Sequence, residues 1–164
     1  MGKEFEFEIV KTKAKQRIDI NMTLLLVAFT IFALIATIKP EILTQNKIMA
    51  VQLTLCIPFL ITSSFARIKE IKPKLYKIWN KVGFFNFIVG YSFLINTIGI
   101  MLSLLVSIWV SLVFFIANIL MSTIYSYIEF RHGGDSLSSR LLKDGFFIAM
   151  VIMFGVLPSL GILQ

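Results

Sequence analysis

The chain has few of the residues from which disulfide frameworks, metal centres and acid–base sites are built. Among its 164 residues there is one cysteine, Cys56, and one histidine, His132. A single cysteine excludes an internal disulfide, and a single histidine without a close pair of carboxylates provides no set of metal ligands. Acidic residues number nine against 16 Lys and Arg. We therefore expect no metal and no cofactor, and an enzyme is the less favoured class.

Charge is also missing from long stretches of a chain that is 57% hydrophobic, with a mean hydropathy of +0.87. Residues 23–38, 48–66, 82–128 and 145–163 contain no Asp, Glu, Lys, Arg or His. A membrane span needs about 20 such residues, so the third stretch, which would reach about 70 Å as one straight helix, must turn back. Residues 96–99, which contain Asn96 and Gly99, are the best breaker, and Ser103 is a second candidate.

The fold predicted from these stretches is an all-α integral membrane protein with a bundle of five transmembrane helices. We place the helices at 22–39, 47–66, 80–98, 101–128 and 145–163, which makes residues 22–164 one transmembrane domain preceded by a basic N-terminal segment, 1–21. Pro58 and Pro158 are each expected to bend the helix that contains them, because proline removes a backbone hydrogen bond.

The distribution of basic residues predicts the orientation of this bundle. Five lie before the first span, six between the second and third, and three between the fourth and fifth, whereas the other side has Lys39 and Lys47 alone. Because Lys and Arg in short loops stay on the cytoplasmic side, we expect a plasma-membrane protein with a cytoplasmic N-terminus and an external C-terminus. This placement also explains the net charge of +7 without nucleic acid, since basic loops are attracted to anionic lipid.

Two segments outside the spans have apolar periodicity. Residues 4–9 alternate strictly between Glu and an apolar residue, which is typical of a strand, although a short interfacial helix or a frayed tail is the favoured interpretation. Between the second and third spans, Ile68, Ile71, Leu75, Ile78 and Val82 recur at helical spacing, which predicts a short amphipathic cytoplasmic helix. Residues expected to contact lipid head groups are Lys72, Lys74, Lys77, Lys81, Trp79, Arg131 and Arg140.

Small and polar residues recur within the predicted spans. One set forms a stripe along the fourth helix: Ser103, Ser107, Ser111, Asn118, Ser122 and Ser126. A second set on the third helix, Asn86 and Gly90, could face this stripe. Small residues at this spacing are typical of helix packing in lipid, where close approach and interhelical hydrogen bonds hold helices together. The alternative is that the stripe lines a path for a small solute.

The segment 131–136 is the one cluster that resembles a reaction centre. His132 as base, Ser136 as nucleophile and Asp135 as orienting group are weak candidates, because neighbours in a Gly-Gly loop lack a supporting shell. Arg131, His132 and Arg140 could instead bind a phosphate, but Asp135 would oppose an anion there. The simplest interpretation is a capped loop.

Three functions remain open from sequence. The first is a non-enzymatic membrane protein that acts through helix packing, as a subunit or scaffold of a membrane complex or as a homo-oligomer. The second is a channel or carrier for a small neutral or lipid-like solute that uses the fourth helix. The third is an enzyme acting on a phosphorylated lipid at the cytoplasmic leaflet. The lipid bilayer and a membrane-protein partner or second copy are the partners expected.

Overall fold

The computed structural model of the protein describes residues 2–71, 76–132 and 137–162, and the regular structure in these ranges is helical. The elements are α1 (Gly2–Ile38), α2 (Glu41–Gln45), α3 (Lys47–Glu70), α4 (Tyr76–Leu105), α5 (Ile108–His132), α6 (Leu137–Val151), a π-helical turn (Ile152–Val156) and α7 (Leu157–Ser159).

Five stretches of these helices are long and apolar enough to cross a membrane, which confirms the number predicted. They are Glu8–Ile38, Lys47–Glu70, Ile78–Leu105, Ile108–Ile128 and Leu142–Ser159. The start of α3 is as predicted, because the Asn46 side chain caps the helix by accepting a hydrogen bond from the backbone N–H of Met49 at 2.9 Å.

Helix α1 begins well before the predicted first span. Residues 4–9 are helical, so the strand alternative is wrong; a helix satisfies its backbone hydrogen bonds internally, whereas a lone strand would need a partner. Along the apolar part of α1, the hydroxyl groups of Thr23, Thr30 and Thr37 donate to carbonyl oxygens four residues earlier at 2.8–3.0 Å. These exposed hydroxyls therefore need no water.

The segment between the second and third spans does not form the separate amphipathic helix that we expected, as far as it is described. Ile68 lies in the last turns of α3, and Ile78 lies in α4, which continues from Tyr76 as far as Leu105. Residues 72–75, which include Lys72, Pro73 and Lys74, are outside the described ranges. The lipid-facing role proposed for this segment stays a prediction.

The break between the third and fourth long helices was predicted in the wrong place. Residues 96–99 lie inside α4, and the chain turns at Val106 and Ser107 instead. The Ser107 side chain accepts a long contact of 3.4 Å from the N–H of Val110 at the start of α5. Asn96 and Gly99 serve packing rather than a turn: the Asn96 amide bonds another helix, and a Cβ on Gly99 would lie 2.1 Å from the Phe115 ring.

The chain divides into two units, and α3 and α4 each contribute residues to both. The first unit is Met1–Leu43 with Leu53–Tyr91. Its buried apolar side chains recur every three or four residues on α1 and α3, as one helix face requires: Leu25, Ala28, Ile31, Ile35, Leu53, Cys56 and Leu60. A Cβ on Gly90 would lie 2.9 Å from Leu60, so this glycine permits close approach of α4 to α3.

The second unit is Thr44–Gln52 with Ser92–Gln164. Here α5 packs against α6 and the π-helical turn, and Phe115 is almost fully buried beside Gly99 and Gly155. The irregular turn Ile152–Val156 stands immediately before α7, whose first turn contains Pro158. The chain therefore accommodates this proline with a widened helical turn, one of the causes of helix irregularity. Pro58, by contrast, lies inside the single helix α3.

Candidate functional site

The first unit contains a cluster of ionic side chains in which two ion pairs share one carboxylate. Arg67 Nη1 donates to Glu70 Oε2 at 2.7 Å, and Arg17 Nη1 donates to Glu70 Oε1 at 3.1 Å. The Asn80 Oδ1 atom accepts from Arg67 Nη1 at 2.8 Å and lies 3.4 Å from Arg17 Nη1. One carboxylate is thus shared by guanidinium groups from α1 and α3, and the side chain of Asn80 joins α4 to them.

Burial distinguishes the members of this ion cluster, which we define as Arg17, Arg67, Glu70 and Asn80. The side chains of Arg67 and Glu70 are 4% and 3% exposed, whereas that of Arg17 is 43% exposed. Buried charges are costly unless they are paired and hydrogen-bonded, and the cluster meets both conditions for Arg67 and Glu70. Gly83 makes room for it, because a Cβ there would lie 3.1 Å from Arg67 Nε.

A neutral hydrogen-bond relay lies close to the cluster along the same helices. Asn21 Nδ2 donates to Ser63 Oγ at 3.0 Å, and Ser63 Oγ donates to the carbonyl oxygen of Gly83 at 2.8 Å. The three residues belong to α1, α3 and α4, and Asn21 and Ser63 are buried. Asn21 Oδ1 has no partner. The relay links the three helices by polar contacts of the kind that hold helices together in lipid.

The second unit has its own buried amide groups. Gln52 Nε2 donates to the carbonyl oxygen of Phe154 at 2.8 Å, and Asn96 Nδ2 donates to that of Met150 at 3.2 Å. Since carbonyl oxygens only accept, these contacts fix which end of each amide is nitrogen. The other ends, Gln52 Oε1 and Asn96 Oδ1, are buried without a partner, as is Ser92 Oγ. Three oxygen atoms that can accept hydrogen bonds are therefore unpaired in this unit.

The predicted stripe does not lie on one helix, because Ser103 belongs to α4 and Ser107 to the turn before α5, and its members have several environments. Ser111 is buried, and its hydroxyl lies 3.4 Å from that of Ser159, while Ser103 Oγ lies 3.3 Å from the Ser159 carbonyl oxygen. Ser126 bonds Asp144, and Asn118 donates to the carbonyl oxygen of Phe114 in its own helix. Ser122 is partly exposed. The stripe thus contacts α6 and α7 at some positions, and its role as a path stays a prediction.

The two predicted positions on α4 belong to the first unit. Asn86 Nδ2 donates to the carbonyl oxygen of Val82 at 2.8 Å within its own helix, and Gly90 packs on Leu60.

The loop candidates are described only in part. Gly133, Gly134, Asp135 and Ser136 are outside the described ranges, as are the side chains of His132, Arg140 and Lys77. Arg131 is exposed and lies over the Tyr127 ring, 5.8 Å from its centroid. Lys69 Nζ lies 4.6 Å from the centroid of the Trp79 ring. Lys81 is exposed. Within the part of the chain that the structure describes, no three His, Cys, Asp or Glu residues are grouped to hold a metal.

No protein family, curated protein or solved structure gives a match to this chain. In the sequence analysis, Arg17 and Arg67 served only as basic residues that indicate membrane orientation. Glu70, Asn80 and Gln52 were not selected. One signal was present: Arg67 and Glu70 stand three residues apart at the end of an apolar stretch, the spacing at which side chains meet on a helix.

Proposed function

We propose that this chain is a multi-pass membrane protein that acts through helix packing, as a subunit or scaffold of a membrane complex or as a homo-oligomer. The five apolar helices support membrane insertion. The basic residues that lie before the first span and between the second and third support a cytoplasmic N-terminus, and an odd number of crossings then places the C-terminus outside. The plasma membrane is the expected location.

The observation that carries this proposal is the low burial of α5. Only 11% of its most apolar stretch is buried, against 50% for Ile78–Leu105. Its exposed side chains are large and apolar or aromatic, among them Trp109, Val113, Met121, Tyr125 and Tyr127. Lipid alone could cover such a helix, but its exposed side also carries Ala117 and Thr123, and small residues let a neighbouring helix approach closely.

Polar contacts inside each unit support a role in helix packing rather than a catalytic role. The bonds of Asn21, Gln52, Ser63 and Asn96 all end on a side chain or backbone group of another helix. The amide nitrogens and the Ser63 hydroxyl that hold helices together are already hydrogen-bonded, which favours a structural role for them over a catalytic one.

Crosslinking in native membranes tests the proposal, because replacing the single cysteine gives a clean background. We would place one cysteine at Val113 or Met121 on α5, or at Leu26 on α1 as a control, in a Cys56→Ala chain. Leu26 and Met121 are equally exposed, at 68% each. The α5 cysteines should crosslink to a second copy or to one companion protein, and Leu26→Cys should not. A lone monomer after gentle detergent extraction, with no α5-specific crosslink, would contradict the proposal.

The second candidate, a channel or carrier for a small neutral solute, is favoured by the three unpaired oxygen atoms in the second unit. Buried acceptors without partners suit a solute or water that donates hydrogen bonds. Osmotic shrinkage of proteoliposomes in urea and in glycerol would test it. Flux that Gln52→Leu abolishes would favour the carrier, whereas flux equal to that of empty vesicles would exclude these solutes.

A further inference from the structure

The ion cluster contains more positive than negative charge. Arg17 and Arg67 share the single carboxylate of Glu70, and Asn80 is neutral, so one positive charge is unbalanced. Arg67 is held between Glu70 and Asn80 and is almost fully buried, whereas Arg17 is 43% exposed at the side chain. The unbalanced charge is therefore accessible at Arg17.

Arg17 also has unused capacity to donate hydrogen bonds. The hydrogen bonds that it makes to described residues, to Glu70 and Asn80, both come from Nη1. A guanidinium group carries five N–H donors in a planar fork, which matches the spacing of two phosphate oxygens. Nε and Nη2 therefore provide donors for an anion, while Nη1 stays on Glu70 and fixes the position of the group.

The cluster lies where three helices change from charged to apolar sequence. On α1 the last charged residue before the apolar stretch is Asp19; on α3 the first after it is Arg67; on α4 the last before it is Lys81. The contacts of Arg17 with Glu70 and Asn80 bring these three transitions to one level. In a membrane such a level is the boundary between hydrocarbon and head groups, where lipid phosphates are found.

We propose that Arg17 binds a phosphate group of an anionic lipid, with the ion cluster holding its guanidinium in place. This site rests on the membrane location proposed above. Glu70 does not repel the phosphate strongly, because its charge is shared with buried Arg67. Arg17 differs from Lys13, an exposed cation on the same helix, in being held in place. Lys13 makes no ion pair with a described residue and offers a point charge on a flexible chain.

Thermal unfolding of the purified full-length protein in a non-ionic detergent tests the site. We would add phosphatidylglycerol, phosphatidylcholine or inorganic phosphate to the natural chain, Arg17→Gln, Arg17→Lys and Lys13→Gln. At a hundredfold excess over its Kd, phosphatidylglycerol should raise the Tm by about 5–10 °C. Lys13→Gln, which loses the same unit of charge, should keep this shift. Arg17→Gln should lose it, and Arg17→Lys should bind the lipid about tenfold more weakly.

Each other outcome has a definite meaning. An equal shift with phosphatidylcholine, a full shift in Arg17→Gln, or an equal loss in Lys13→Gln would overturn the site. An equal shift with inorganic phosphate would overturn the lipid assignment and show a site for free phosphate. If Arg17→Gln does not fold, Arg17→Lys provides the test. A full Tm shift in Arg17→Lys, with the Tm shift of Lys13→Gln equal to that of the natural chain, would overturn the need for the planar fork.

Alkaline carbonate extraction separates this proposal from the membrane proposal on which it rests. Release of the chain into the soluble fraction would contradict membrane insertion whatever the lipid does to the Tm. If the chain is retained in the membrane and the Tm shift does not depend on Arg17, the phosphate site is contradicted but membrane insertion is not.

Discussion

Gln52 Nε2 donates a 2.8 Å hydrogen bond to the carbonyl oxygen of Phe154, 102 residues away. In a regular α-helix that carbonyl would accept from the N–H of residue 158, but residue 158 is proline and has no N–H. The buried glutamine thus supplies the donor that the proline removes. This contact gives the polar residue of an apolar span a partner, and together with the widened turn at Ile152–Val156 it accommodates the proline in the last helix.

Replacing Gln52 with leucine should therefore destabilise the protein because the Phe154 carbonyl loses its donor. We expect the free energy of unfolding in detergent to fall by about 1–2 kcal/mol. The measurement is equilibrium unfolding in mixed micelles, followed by helical circular dichroism.

A double-mutant cycle with Pro158→Ala provides the control. Alanine restores a backbone N–H at residue 158, so Gln52→Leu should cost less in that background than in the natural chain. An equal cost in both backgrounds would show that the glutamine does not compensate for the proline.

Two glycines in the second unit should not tolerate alanine. A Cβ on Gly99 would lie 2.1 Å from the Phe115 ring, and one on Gly155 would lie 2.5 Å from Asn96 Oδ1. Because Phe115 is 1% exposed and cannot swing aside, each substitution should lower stability by about 1–3 kcal/mol. Gly145→Ala is the matched control: nothing lies within 4 Å of its added Cβ, and helix propensity favours alanine by about 1 kcal/mol. Equal Tm losses at the three positions would refute this explanation.

The five long helices could be predicted because an uncharged stretch of sufficient length is a local property of the sequence. The boundary at Lys47 followed from charge, and Asn46 reinforced it as a cap. The turn at Val106 and Ser107 could not be found in this way, because the stretch 82–128 has no charge to mark a boundary. Asn96 and Gly99 are typical of turns, but packing against Met150 and Phe115 keeps them helical.

The candidate site was harder to predict than the helices. Arg17 is separated from Glu70 by 53 residues and from Asn80 by 63, so no local pattern pairs them. From sequence, the arginines Arg17 and Arg67 were interpreted only as basic residues that indicate membrane orientation, and Glu70 and Asn80 were not selected. Only the Arg67–Glu70 spacing lay within reach of sequence reasoning, since residues three apart on a helix are neighbours.

The relay through Ser63 should contribute more to stability than its neighbour Ser64. The Ser63 hydroxyl joins Asn21 to the carbonyl oxygen of Gly83, whereas the Ser64 hydroxyl donates to the carbonyl oxygen of Leu60 within its own helix. Ser63→Ala leaves the buried Asn21 amide nitrogen without an acceptor and should cost about 1–2 kcal/mol. Ser64→Ala, at an equally buried position, should change the unfolding free energy by less than about 0.5 kcal/mol, because the carbonyl keeps its helical N–H. The same unfolding assay compares them, and equal costs would argue against the relay.

Removing the shared carboxylate should have the largest effect of any single charge change. Glu70→Gln leaves the guanidinium of Arg67, 4% exposed at its side chain, without an anion, and an uncompensated buried charge costs about 3 kcal/mol or more. Glu8→Gln is the control, since Glu8 and Lys11 are 3.5 Å apart with side chains 64% and 56% exposed, and such pairs contribute less than about 1 kcal/mol.

Adding Arg67→Met to Glu70→Gln should recover part of the loss, because the buried charge is then absent. If the double variant is less stable than Glu70→Gln alone, the penalty comes from lost packing of Arg67 and not from its unpaired charge.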